Sequence, residues 1–324
     1  VTGSRGLLVL DGAGNVFEFF TTPSAAPANS AQPDPRRIFA DNGGFWGRYE
    51  AFPADGRIDF AAEEGVSPSV HGLKFSRSYE VAGDRLIVTS TNEPQAQRDV
   101  RLTWQRVPTV EGLSPAYREV VGFWRHVEES RVNTATGAVD NVRQRAPSVI
   151  VYTPGGFVGV HFPTLGRTPF AGETPTEAEA QTARNYLGYY GALGVYPGEV
   201  FHNILGGVSP SAGAILRRFA KVTGDELVVT LPSGNPQSTT ATIVRLRRLS
   251  GPDDMLPAAR KRARKRGRTR RLTPIPTTNR PSPMMKPTRP PTTNTLIAMR
   301  TEMPTRISVH HKGLRSIDGD VSIS

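Results

Sequence analysis

Over most of its length the chain alternates apolar and polar residues in short runs, separated by turns rich in Gly, Pro, Asn and Asp. This period of two predicts half-buried β-strands. In "LKFSRSYEV" the residues Phe75, Arg77, Tyr79 and Val81 share one face, while Lys74, Ser76, Ser78 and Glu80 share the other. In "VFHNI" the residues Val200, His202 and Ile204 fall together. A helical pattern stands out in one place, "TPTEAEAQTARNYL", where Thr174, Pro175 and Glu177 form a capping box with proline at the first helical position. That predicts one helix of about three turns. Antiparallel strands with so little helix to cover them favour closed barrels over open sheets, because closure removes exposed edges.

The strand pattern occurs twice. "GVSPS" stands at 65–69 and again at 207–211, and sliding the chain by that offset brings four longer blocks into order. "LVLDGAGNVFEFF" from Leu8 meets "IVYTPGGFVGVHF" from Ile150, and "GFWGRYEAFP" from Gly44 meets "GYYGALGVYP" from Gly188. "AGDRLIVTS" from Ala82 meets "TGDELVVTL" from Thr223, each a Gly-Asp hairpin turn entering a strand. "PQAQRDVRLTWQRV" from Pro94 meets "PQSTTATIVRLRRL" from Pro236. Ordered matches over the whole length indicate duplication. "GVSPS" itself reads as a loop closing one barrel end, repeated as a by-product of that duplication.

The blocks "VVGFWRHVEES", "VIVYTPGGFVGV", "RNYLGYYGALGVY" and "RRFAKVTGDELVVT" resemble the bacterial and fungal lipocalin-like domain family. Gly122-Phe123-Trp124 is similar to the Gly-x-Trp signature that opens lipocalin barrels, and Pro68 and Pro210 are family-like prolines. The resemblance implies two tandem up-and-down barrels of calycin type, with an internal pocket for a small ligand. It divides the chain into an N-terminally incomplete domain at 1–107, a linker at 108–117, a complete domain at 118–249 and a tail at 250–324. The later copy has a long segment, Val120 to Val149, before its strand at Ile150; the earlier has only seven residues before Leu8. The opening strand of the first barrel is therefore missing: the chain is truncated, or the barrel is open or patched by another segment. Truncation is the expectation.

Charge changes the picture only at the C-terminus. The net charge is +11. From Gly251 onward there are sixteen Lys and Arg against five Asp and Glu, so the first 250 residues balance. The run "ARKRARKRGRTRR" at 259–271 leads into a Pro/Thr-rich stretch without apolar periodicity, and the tail is expected to be disordered. Contact with nucleic acid or an anionic surface would run through 259–271 alone, without aromatics for base stacking. The absence of cysteine excludes disulfides and thiolate chemistry. No apolar run is long enough to span a membrane, and no cofactor fingerprint is present; the compartment stays open.

The candidate site lies on inward faces of the second copy. Arg77 and its counterpart Arg218, in line with Leu216 and Val222, stand on apolar faces, where a guanidinium needs a partner. Each is either a clamp for a ligand carboxylate, carbonyl or enolate, or a structural arginine paired with a carboxylate, with carbonyls or with the barrel's Trp124. His202 is a wall residue or a general base, with Phe60 as its counterpart. His161 is expected to face outward, and a metal site from His161 and His202 has no third ligand at useful spacing. Tyr186, Tyr189 and Tyr190, answered by Phe45, Trp46 and Tyr49, plug a barrel end or line its mouth. The expected ligand-contacting set is Trp124, Tyr189, Val200, His202, Ile204, Leu216 and Arg218, with Arg77 in the first copy. The leading expectation is binding of a small, largely apolar molecule. The alternatives are a cofactor-independent cyclase, isomerase or hydrolase, with His202 and Arg218 as candidate catalytic residues, and a basic-tailed adaptor on nucleic acid.

Overall fold

The computed structural model describes residues 4–22, 36, 39, 41–93, 98–108, 110, 112–171, 175–183, 186–210, 212–232, 238–255 and 297–300. The described chain is mostly β. Strands β1 (Arg5–Leu10), β2 (Asn15–Thr21), β3 (Asn42–Phe52), β4 (Arg57–Gly65), β5 (Lys74–Ala82), β6 (Arg85–Glu93) and β7 (Arg98–Arg106) form one antiparallel sheet. Strands β8 (Gly122–Asn133), β9 (Val139–Arg143), β10 (Val149–Tyr152), β11 (Phe157–Phe162), β12 (Leu187–Tyr196), β13 (Glu199–Ser209), β14 (Ile215–Thr223), β15 (Glu226–Pro232) and β16 (Thr240–Ser250) form the second. In that second sheet β8 pairs with both β16 and β10, so eight strands form a ring, and β9 extends the far end of β8.

The first barrel closes as well, and not as expected. Strand β17 (Ile297–Arg300), from the C-terminal tail, pairs with β1 and with β7. It occupies the place that β8 fills between β10 and β16. The first barrel is thus patched by another segment of the chain. This corrects the expectation of disorder for those four residues and for 251–255, where Gly12 N donates to Asp254 O and Met255 is buried. The basic run 259–271 lies outside the described residues.

The duplication is visible in the backbone. Gly14 and Gly156 turn equivalent hairpins with φ of +83° and +85°, and Gly83 and Gly224 with +61° and +60°. These are left-handed conformations that glycine adopts without steric cost. The copies of "GVSPS" differ: β4 ends at Gly65 and a 3-10 turn follows at Pro68–Val70, whereas β13 continues to Ser209.

The helices differ from expectation. Helix α1 (Pro115–Val120), unforeseen, runs from the linker into the second domain and is capped by Ser114, whose Oγ accepts from Tyr117 N at 3.2 Å. Helix α2 (Glu177–Ala183) is shorter than expected. Its capping box is Thr176 and Glu179: Glu179 N donates to Thr176 Oγ1 at 3.3 Å, and Thr176 N donates to Glu179 Oε2 at 2.7 Å.

Each barrel has its own core, and a third apolar cluster joins them. Leu8, Leu10, Val16, Phe45, Ile58, Phe60 and Trp104 fill the first barrel; Trp124, Tyr152, Val160, Phe162, Tyr189 and Leu227 fill the second. The outer faces of β1–β3, through Leu7, Val9, Phe17, Phe19 and Trp46, pack on Phe123, Val149, Val151 and Tyr190. Equivalent residues meet in this seam. The Phe17 ring lies where a side chain on Gly159, its own counterpart, would stand, 2.4 Å from a Cβ placed there. Phe19 packs beside its counterpart His161, ring centroids 5.2 Å apart. Polar ties add direction to the apolar contact. Trp46 Nε1 donates to Pro147 O at 3.3 Å, Arg125 pairs with Glu63 at 2.8 Å, and Arg167 Nη1 donates to Gly65 O at 2.8 Å.

Candidate functional site

Two turns of alternation on adjacent strands build the polar centre of the second barrel. β12 points Tyr189 and Leu193 inward, and β13 points Val200, His202 and Ile204 inward, all buried. Tyr152, from the end of β10, meets them. His202 lies between two tyrosines: Nδ1 is 2.8 Å from the Tyr189 hydroxyl and Nε2 is 3.2 Å from that of Tyr152. Burial, with a smaller push from Arg218, brings the His202 pKa down to about 3, so the imidazole is neutral at physiological pH. Burial raises both tyrosine pKa values, against the opposing pull of Arg218.

Arg218 stands on the inward face of β14, opposite Val200 in register. Leu216, Ala220 and Val222, on the same face, pack against the core yet are only half-buried, as is Arg218. β14 pairs with β13 over Ile215–Phe219 and with β15 over Phe219–Thr223, so each of these half-buried inward side chains has a strand in paired register on one side only. Among the described residues Arg218 forms no ion pair; its Nη1 donates to the carbonyl of Arg217 at 3.0 Å.

Arg77, the counterpart on β5, is placed differently. It is buried in the first barrel and donates through Nη1 to both Glu18 carboxylate oxygens, at 3.1 and 3.2 Å. The rings of Phe45, Phe60 and Phe75 surround it at 5.1 to 5.7 Å. Of the alternatives open for Arg77, the structural pairing with a carboxylate is the one present.

The remaining expected residues fall into two groups. Trp124 belongs to the second core, but the arginine stacked on it is Arg248 of β16, 4.0 Å from the ring centroid, and not Arg218. Trp124 Nε1 donates to Val120 O at 2.6 Å. Tyr186 and Tyr190 belong to the seam between barrels, separate from Tyr189. His161 faces outward from its own barrel as expected, yet is fully buried against the other. Its Nε2 lies 3.0 Å from Glu18 O, which can only accept, so Nε2 carries the proton and Nδ1 accepts from the Tyr186 hydroxyl. Burial lowers its pKa to about 3, the Glu18 carbonyl opposing and Arg167 assisting. His161 and His202 thus occupy opposite faces of the wall, and among the described residues no group of three His, Asp or Glu gathers to hold a metal ion.

Sequence reasoning missed Tyr152 and Glu18. Both signals were present: each is the polar residue on an inward face, Tyr152 in line with Ile150, and Glu18 between Val16 and Phe20. An open groove of about 560 Å³, bordered by Tyr196, Glu199, Phe201 and Asn203, lies on the outside of β12 and β13 and has no part in this cluster.

Among the described residues no helix is long and apolar enough to cross a membrane. No family model and no curated protein matches the chain. Among solved structures, the chain is similar to a Nostoc punctiforme protein of unknown function from the DUF3598 family, at 10% identity and a TM-score of 0.20, over 76% of this chain and 96% of that one.

Proposed function

We propose that the second barrel is a lipocalin-like binding module for a small, largely apolar molecule, which enters along the β14 wall. Its anchor is the group formed by Arg218, His202, Tyr152 and Tyr189. The observation that carries this reading is the half-exposed inner face of β14, an apolar lining with one arginine that has no carboxylate partner among the described residues, next to a buried polar cluster. Apolar walls supply affinity and a few convergent polar groups supply orientation. A cyclase, isomerase or hydrolase is less well supported. An imidazole whose pKa is about 3, with both nitrogens engaged by tyrosine hydroxyls, is a weak proton acceptor at neutral pH. The adaptor reading rests on residues 259–271, outside the described structure.

The test is a titration of the full chain with the neutral fluorescent probe 1-aminoanthracene. Saturable binding is expected. Leu216→Trp, which fills the opening, should weaken it by about tenfold, and His202→Gln should change it by only a few-fold. Absence of saturable binding, or indifference to Leu216→Trp, would overturn the proposal.

A further inference from the structure

We infer that the molecule held by the second barrel carries a carboxylate head, which Arg218 receives as Arg77 receives Glu18. This rests on the binding reading above and narrows it to amphipathic monocarboxylic acids. The first barrel displays the occupied arrangement: an inward arginine, a carboxylate on one of its nitrogens, and aromatic rings around the pair. In the second barrel the arginine is kept and the carboxylate is not, since Val160 stands where Glu18 would be. Around that vacancy three apolar residues of the first barrel are exchanged for hydrogen-bonding ones. Leu10 becomes Tyr152, Phe45 becomes Tyr189 and Phe60 becomes His202.

Counting hydrogens shows which kind of group those three residues suit. Neutral His202 has one N–H and one bare nitrogen, and each tyrosine has one O–H. One tyrosine donates to the bare nitrogen, and the other accepts from the N–H. The hydroxyl hydrogen of that second tyrosine is then left over, whichever tautomer is present. Among the described residues neither hydroxyl has another partner. The cluster thus offers one spare donor, and Arg218 stands on the next strand opposite Val200, two residues along the same inward face from His202. The tyrosine oxygens also keep lone pairs, so the selection comes from the guanidinium: a charged group that only donates, beside one spare hydroxyl hydrogen, fits a ligand group that accepts and carries negative charge. A neutral apolar guest would displace water from Arg218 and return nothing to it.

The experiment is displacement of 1-aminoanthracene from the full chain by decanoate, decan-1-ol and decylamine at neutral pH. Decanoate should displace at a concentration at least about tenfold below that of decan-1-ol, with decylamine weakest. Arg218→Gln should close the gap between acid and alcohol, and Arg218→Lys should retain part of it. Val160→Glu, which installs the first barrel's carboxylate, should also erase the preference for decanoate. Equal displacement by acid and alcohol in the unaltered protein, a comparison independent of any variant's folding, would overturn the inference while leaving the binding module standing. Displacement by none of the three would remove both.

Discussion

Arg77 and Arg218 occupy equivalent strands of equivalent barrels, yet one is sealed by Glu18 and three phenylalanine rings while the other lies half-buried and, among the described residues, forms no ion pair. The same pattern recurs at the histidines: where the second barrel has His161 and His202, the first has Phe19 and Phe60. It recurs again on the outside. Phe201 and Phe219, the latter 41% exposed, stand where the first barrel has Asp59 and Ser78. The first barrel therefore pairs its inward arginine and presents Asp59 and Ser78 on its outer wall, whereas the second leaves Arg218 without an ion pair among the described residues and presents Phe201 and Phe219. Two copies of one fold thus differ most at equivalent positions, and the binding proposed for the second rests on those differences.

The largest expected effect comes from making the first barrel resemble the second. Glu18→Val leaves the Arg77 guanidinium buried without its carboxylate and should cost about 3–5 kcal/mol in urea denaturation. A loss below about 1 kcal/mol would break the claim that this pair is sealed. Next comes acid sensitivity, which the comparison assigns to the second barrel and the seam. His161 and His202 titrate near 3 when folded, against an ordinary value of 6.5. The unfolded chain binds more protons between those values, so their contribution is complete above about pH 6.5 and declines as pH falls toward 3. The slope is roughly 1.4 kcal/mol per pH unit for each histidine. His202→Phe should flatten the slope of the denaturation midpoint against pH by about half; an unchanged slope would contradict the assignment.

The seam should respond less strongly. Gly159→Val places a side chain against the Phe17 ring and should destabilise by about 1–3 kcal/mol, with limited proteolysis appearing first between the barrels. Phe17→Ala in the same chain should restore part of the loss, and failure to do so would dissolve the inferred contact. The smallest effect belongs to the outer wall. Phe219→Ser, which copies Ser78, should change stability by less than about 0.5 kcal/mol by thermal denaturation, because the ring is substantially exposed.

Much of this was legible in the residues. Period-two alternation placed Arg77, Val200, His202, Ile204 and Leu216 on inward faces, and the offset of the copies paired the strands. Alternation assigns a face and says nothing of height along the barrel axis. For that reason Trp124 stood among the alternative partners of Arg218, whereas the arginine that reaches its ring is Arg248. The seam escaped because Phe17 and Phe19 make the outward face of β2 as apolar as its inward one, and sequence alone does not say what covers it. The capping box was displaced by two residues because Thr174 and Thr176 both precede a glutamate at the required spacing. Strand β17 has four residues in a Pro/Thr-rich, basic context, too short for any period to register.

The meeting of Phe17 with Gly159 has a consequence for how such a molecule diversifies. In a homodimer built on a two-fold axis, a residue beside the axis faces its own copy, so a large ring there would confront another large ring. Encoding both faces in one polypeptide lifts that constraint: one side enlarges while its mate shrinks to a bare α-carbon. The fused pair can therefore reach a lock-and-key fit denied to its symmetric equivalent, and each half is free to specialise without disturbing the union.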